Sequence, residues 1–117
     1  MEVQAITKNV RMSAQKMREV VRQIQGLPAA QARAVLTVVP RKGARVVAKT
    51  LKSALANAED LKTHKAGYEG LKTEQLRVKL AVAGKATTIK RFIPKARGSA
   101  GPILKRNCHV KIVLSDE

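Results

Sequence analysis

The chain has almost no negative charge where most of its positive charge lies. No Asp or Glu occurs between Gln75 and Ser115, and none from Val20 to Ala58. The first of these stretches carries ten cations: Arg77, Lys79, Lys85, Lys90, Arg91, Lys95, Arg97, Lys105, Arg106 and Lys111. Globular surfaces ordinarily interleave both signs, because one-sign charge repels itself and works against the compact state. A segment of this kind implies a partner dense in negative charge, and nucleic acid phosphate fits best. The balance of the whole chain agrees, with a net charge of +16 on 117 residues.

Aromatic residues are nearly missing. Tyr68 and Phe92 are the only two, so no multi-ring platform for gripping a single strand can be built. Phosphate contact and shape are left to carry binding. A single cysteine, Cys108, excludes an internal disulfide. With only His64 and His109 beside it, a four-ligand zinc centre is excluded too, and no metal or other cofactor is expected. No apolar run approaches a membrane span, and the N-terminus shows no basic-then-apolar leader. A cytoplasmic, reducing setting without membrane contact is the expectation.

What is present divides by period. Residues 2–11 read as a strand through Val3, Ala5 and Val10. Ser13 is placed to cap a helix carrying Met17, Val20, Val21 and Ile24 at helical spacing, closed by Gly26 and Pro28. A second helix is expected over Ala29–Val38, with Ala32, Val35, Leu36 and Val39 as apolar positions, stopped by Pro40. The longest should run from about Lys42 to Asp60, where Ala44, Val47, Ala48, Leu51, Ala54, Leu55 and Ala58 mark one buried face. Lys42, Arg45, Lys49 and Lys52 fall on its other side. That face is either merely solvated or a phosphate contact. Residues 62–74 read as a loop.

The period then changes to two. Leu76, Val78, Leu80 and Val82 alternate with Arg77, Lys79, Ala81 and Ala83, and Val110, Ile112 and Leu114 alternate with Lys111 and Val113. The two strands are expected to pair antiparallel. Between them, 84–109 has strand-like ends and a centre of turn formers, Pro94, Gly98, Gly101 and Pro102. The simplest geometry is a long basic hairpin projecting from a body made of 1–83 and 110–117. An isolated two-stranded ribbon is marginal in water, so such an arm needs a partner to order it. The expected class is α+β: three helices on a small antiparallel sheet, plus the projecting β-hairpin.

No catalytic constellation emerges. Cys108 and His109 are neighbours on a strand and point to opposite faces, so they cannot act as nucleophile and base. Gly84-Lys85-Ala86-Thr87 lacks the earlier glycine of a phosphate loop and has Ala86 where its metal-binding hydroxyl belongs. An enzyme is not expected. The arm cations Lys85, Lys90, Arg91, Lys95, Arg97, Lys105 and Arg106 are the prime phosphate-binding candidates. Seven such contacts correspond to a log–log salt slope of about −5 to −6. An architectural DNA-binding protein with a basic β-arm remains the second reading, with Pro94 or Pro102 as a wedge.

Several stretches resemble one family, the bacterial large-subunit ribosomal protein twenty-two. Asn9-Val10-Arg11-Met12-Ser13 with Lys16, Arg18, Val20, Val21, Ile24 and Gly26 is similar to its opening signature. Leu51 through Glu59 is similar to its long-helix signature. Ile89 through Gly98, followed by Lys105-Arg106, His109, Val110, Ile112 and Val113, is similar to its arm. The resemblance implies a non-enzymatic constituent of the large subunit that binds ribosomal RNA, aids assembly, and reaches the nascent-peptide exit tunnel with its hairpin tip. By position the tip is Pro94, Lys95, Ala96, Arg97, Gly98, Ser99, Ala100 and Gly101. Carried over likewise, Arg11, Lys16, Arg18, Lys42, Lys52 and His109 join the arm cations as RNA-binding candidates. The implied partners are large-subunit RNA, neighbouring ribosomal proteins and the nascent peptide, with no homo-oligomer. Leu27, Ser99, Gly101-Pro102 and Asn107-Cys108 depart from the family pattern.

Overall fold

The computed structural model describes residues 2–67 and 69–116, so Met1, Tyr68 and Glu117 lie outside the described residues. Five strands and three helices follow in the order β1 (Glu2–Val10), α1 (Ala14–Ile24), α2 (Ala29–Val38), α3 (Lys42–His64), β2 (Arg77–Lys85), β3 (Ile89–Pro94), β4 (Ala100–Lys105) and β5 (Cys108–Ser115). β5 is the middle of a three-stranded antiparallel sheet ordered β1-β5-β2, while β3 and β4 form a sheet of their own. The class is α+β, as the change of period indicated.

The helices form for the reasons legible in their spacing. Ser13 caps α1, its hydroxyl accepting from the Lys16 amide, and Met17, Val20, Val21 and Ile24 line the buried stripe. α3 buries Ala44, Val47, Leu51, Ala54 and Ala58 against β1 and β5, and α1 covers β2. Small side chains let these layers approach closely. At Gly43 an added Cβ would lie 3.0 Å from the Met17 sulfur, where the first turn of α3 meets α1. β5 is buried almost throughout, and Val110, Ile112 and Leu114 face the helices together with Val3 and Ala5 of β1.

Two expectations need correction. The alternation of Leu76, Val78, Leu80 and Val82 does not hold one face along β2. A bulge falls between Val78, opposite Leu114, and Leu80, opposite Val113. The extra residue, Lys79, inverts the phase. Ala81 and Ala83 are therefore buried beneath α1, while Leu80 and Val82 are 37% and 40% exposed on the outer face. Lys79 reaches across β5 to Glu2, and its hydrogen bond and charge hold that carboxyl below the usual range. The second correction concerns α3, which runs four residues past Asp60. Its last turn is closed by Thr63 Oγ1 donating to the Glu59 carbonyl and by a His64–Asp60 pair. A short 3₁₀ turn, Thr73–Gln75, interrupts the loop that follows.

The molecule is long for its size, 67 × 29 × 16 Å with a radius of gyration of 17.7 Å. A compact chain of this length would have a radius near 13 Å. The β3–β4 ribbon accounts for the excess.

The phase inversion makes a stability prediction. Ile112→Ala should destabilise the body by about 2–5 kcal/mol, because it empties a fully buried site in the central strand. Leu80→Ala should lower stability by about 1 kcal/mol or less. Urea unfolding of both variants measures this, and equal losses would return Leu80 to the inner face.

Candidate nucleic-acid interface

The root of the arm is where the sequence's scattered cations meet. The β2–β5 ladder ends at Gly84 opposite His109 and Lys85 opposite Cys108. Just beyond it, the Ala86 amide donates to the Asn107 carbonyl, and Asn107 Nδ2 donates to the Thr87 carbonyl. Asn107 thus staples the two legs together as they leave the body. Three longer-range bonds brace the same junction. Arg11 Nη1 donates to the Arg106 carbonyl at 2.9 Å, and Arg18 Nε donates to the Ala83 carbonyl at 3.1 Å. The Asn9 amide donates to His109 Nδ1 at 3.0 Å from a left-handed backbone, φ 58°.

A groove of about 870 Å³ opens here, bordered by the start of α1, the first residue of α3 and the base of the arm. Arg11, Lys16, Arg18, Lys42, Lys85 and Arg106 line it, and no acid does. All six are exposed. Cations converging on one concave surface raise the local potential and favour a phosphate chain entering it. Arg11 and Arg18 hold backbone carbonyls as well as charge, which their spacing alone does not reveal. His109 is half-buried, with one ring nitrogen occupied by the Asn9 amide, so the structure gives it a place in the brace. Lys52 stands apart, about 15 Å further along α3.

Along the arm, Lys90, Arg91, Lys95, Arg97, Lys105 and Arg106 are all exposed. Ile89 pairs with Lys105, Arg91 with Ile103, Phe92 with Pro102 and Pro94 with Ala100. The Lys95 amide donates to the Ser99 carbonyl at 2.7 Å, the last rung before the tip. Because rungs alternate, Phe92–Pro102 and Pro94–Ala100 fall at pairs without ladder bonds, where a proline's missing N–H breaks nothing. The tip turns through Arg97 at φ 60° and Gly98 at φ 73°, consecutive left-handed residues of the kind that close a tight hairpin. Ser99 Oγ donates to the Ala96 carbonyl. Gly101 faces the Lys95 side chain so closely that a Cβ there would lie 2.6 Å from Lys95 Cε. The departure Gly101 thus lets the Lys95 stem lie across the ribbon.

The opposite end of the body is different in kind. Glu2, Asp60, Lys79 and Lys111 line a second groove together with Leu61, Leu80 and Val113. Glu59, Glu69, Glu74 and Asp116 belong to the same end, mixed with Lys62, Lys65, Lys72 and Arg77. Glu19 on α1 pairs with Arg41 at 3.5 Å. Cys108 is fully buried, and that burial pushes its thiol up, away from reactivity. Among the described residues no group of three or more His, Cys, Asp or Glu could hold a metal ion, and no helix is long and apolar enough to cross a membrane.

A basic body groove is thus continued by a basic β-arm on an α+β body. A family model described as ribosomal protein L22p/L17e matches residues 5–115. The chain belongs to that family. It is 48% identical over 116 residues to the large ribosomal subunit protein uL22 of Opitutus terrae, covering 99% of this chain and 96% of that protein. It is 44% identical over 117 residues to the uL22 of Akkermansia muciniphila, covering 100% of this chain and 98% of the other.

The groove separates two kinds of cation. Lys16→Gln and Lys42→Gln should weaken binding to large-subunit RNA several-fold and leave urea unfolding unchanged. Arg11→Gln and Arg18→Gln should lower both affinity and stability, the latter by about 1–3 kcal/mol for a lost charged hydrogen bond. Filter binding beside urea titration checks this. Unfolding midpoints unchanged in the arginine variants would remove them from the brace.

Proposed function

We propose that this protein is a non-enzymatic constituent of the large ribosomal subunit. It binds large-subunit RNA through the groove at the arm root and through the arm, and aids assembly by holding RNA segments together. With tip residues 94–101 it lines the exit tunnel and meets the nascent peptide, and the ribosome's cytoplasmic location follows. The observation that carries the reading is the continuity of Arg11, Lys16, Arg18, Lys42, Lys85 and Arg106 at the root with Lys90, Arg91, Lys95, Arg97 and Lys105 along the arm. Family membership over nearly the whole chain supports it.

The mechanism is electrostatic and geometric. A ribbon two strands wide enters between RNA segments that repel each other, and its cations displace counterions from both. The body stays at the entrance, where its groove fixes the angle of entry. Neighbouring ribosomal proteins would meet the mixed-charge end, which resembles an ordinary protein surface.

Replacing Arg91, Lys95 and Arg97 together by Gln should reduce the log–log salt slope of RNA binding by about 2 to 3. Large-subunit precursors should accumulate in sucrose gradients of cells carrying that variant. Unchanged slope with unchanged assembly would sink the mechanism. Amides in 89–105 of the free protein should exchange with solvent far faster than those of β5, and become protected in assembled subunits. Hydrogen exchange showing the arm already protected when free would contradict ordering by RNA.

A further inference from the structure

The two faces of the arm are not equivalent. Side chains of paired residues share a face, so the register places Ile89, Arg91, Ile93, Ile103 and Lys105 on one side. Lys90, Leu104, Phe92, Pro102, Pro94 and Ala100 occupy the other. The first face is branched aliphatic carbon with the cations Arg91, Lys95 and Lys105, and carries no aromatic ring. The second carries Phe92, the only phenyl ring among the described residues, 75% exposed. Ile89, Ile93, Ile103 and Leu104, its apolar neighbours on the ribbon, are only 36–45% exposed.

We infer that Phe92, backed by Pro102, is a stacking site for an unpaired nucleobase of the RNA, with Lys90 holding an adjoining phosphate. The inference rests on the RNA-binding role proposed above and names the kind of contact that this face makes. The Phe92–Pro102 pair lies at a position without ladder bonds, where paired Cα atoms approach to about 4.5 Å and side chains crowd together. The proline therefore supports the base of the ring and leaves its outer surface open. Lys90 lies two residues along the same face, about 7 Å away. Charge selects the occupant. Every charged side chain from 75 to 115 is a cation, so an apolar protein segment would bring no compensation, whereas each base arrives with its own phosphate. Stacking also tolerates any base, because each has a flat π-face.

The test uses large subunits purified from cells whose only copy of the protein is wild type, Phe92→Tyr, Phe92→Leu or Phe92→Ala. Probing by 2′-hydroxyl acylation should find an unpaired nucleotide whose reactivity rises roughly fivefold or more in the Leu and Ala variants. It should remain at the wild-type level in Phe92→Tyr, which keeps the flat ring. Protein stoichiometry by mass spectrometry should be unchanged in the Leu and Tyr subunits, so that comparison stands even where Phe92→Ala enters subunits poorly. A Leu pattern identical to wild type would overturn the stacking site and leave an unspecific apolar contact. Cross-linking of residue 92 to a neighbouring protein, with no nucleotide altered, would overturn it in favour of a protein partner. Absence of the wild-type protein from large subunits would instead sink the functional reading on which the inference rests.

Discussion

Everything that the arm can do depends on the pairing of β2 with β5. These strands are far apart in sequence, and the arm is what lies between them, so their registration fixes where both of its legs begin. β5 can serve because it is held on both sides, by β1 and β2, and its inward residues Cys108, Val110, Ile112 and Leu114 are fully buried. The ladder does not run unbroken into the arm. It stops at Lys85 opposite Cys108, passes through the Asn107 staple, and resumes at Ile89 opposite Lys105. The bonds from Asn9, Arg11 and Arg18 brace this gap from the body side. The point at which the arm leaves the body is thereby set by the body, while the ribbon beyond it is held by the β3–β4 pairing alone.

The second constraint is charge. A net +16 on a single small domain opposes its own compactness, and the structure handles this by separation. Acids occur at the far end, near the start of β1, the end of α3 and the end of β5, where they alternate with lysines as on an ordinary surface. Toward the arm root, Glu19 is the one acid among the described residues, and it is engaged by Arg41. Among the described residues, the groove cations Arg11, Lys16, Arg18, Lys42, Lys85 and Arg106 line a surface that holds no acid. Phosphate would relieve that repulsion and fill the groove in one event. The same segregation makes the two ends of the body unlike, one concave and cationic, the other of mixed charge.

Much of this is legible in the amino-acid sequence. Helical spacing with a Ser13 cap defined α1, and Ala29–Val38 was bounded as observed. The face of β2 was not legible, for a physical reason. Val78-Lys79-Leu80-Ala81-Val82-Ala83 alternates in either phase, and bulk favours placing Leu80 and Val82 inside. The fold prefers the alanines inside, because α1 lies close over β2 and Arg18 reaches the Ala83 carbonyl. The bulge at Lys79 resolves the conflict. The end of α3 was hidden because Lys62-Thr63-His64 has no apolar periodicity, and the turn closes through side-chain bonds to Glu59 and Asp60 instead. The gathering of Arg11, Lys16, Arg18, Lys42, Lys85 and Arg106 around one groove was also invisible. Those cations come from four segments, which the β2–β5 and β1–β5 pairings and the packing of α1 on β2 and α3 bring together.

The tip carries the same logic to its smallest scale. A left-handed backbone costs a side chain with a Cβ roughly 1–2 kcal/mol, which is why Asn and Gly dominate such turns. Gly98 meets that demand, but Arg97 beside it does not. Were turn stability the only requirement, Arg97 would be the residue to replace. Its long chain instead projects a cation from the furthest point of the molecule, where nothing in the body can contact it. Lys95 lies over Gly101, while Arg97 is exposed at the turn itself. A local preference has been overridden at the one place where the chain meets its surroundings first. The strain therefore falls at the outermost turn of the arm, the position least constrained by packing against the body.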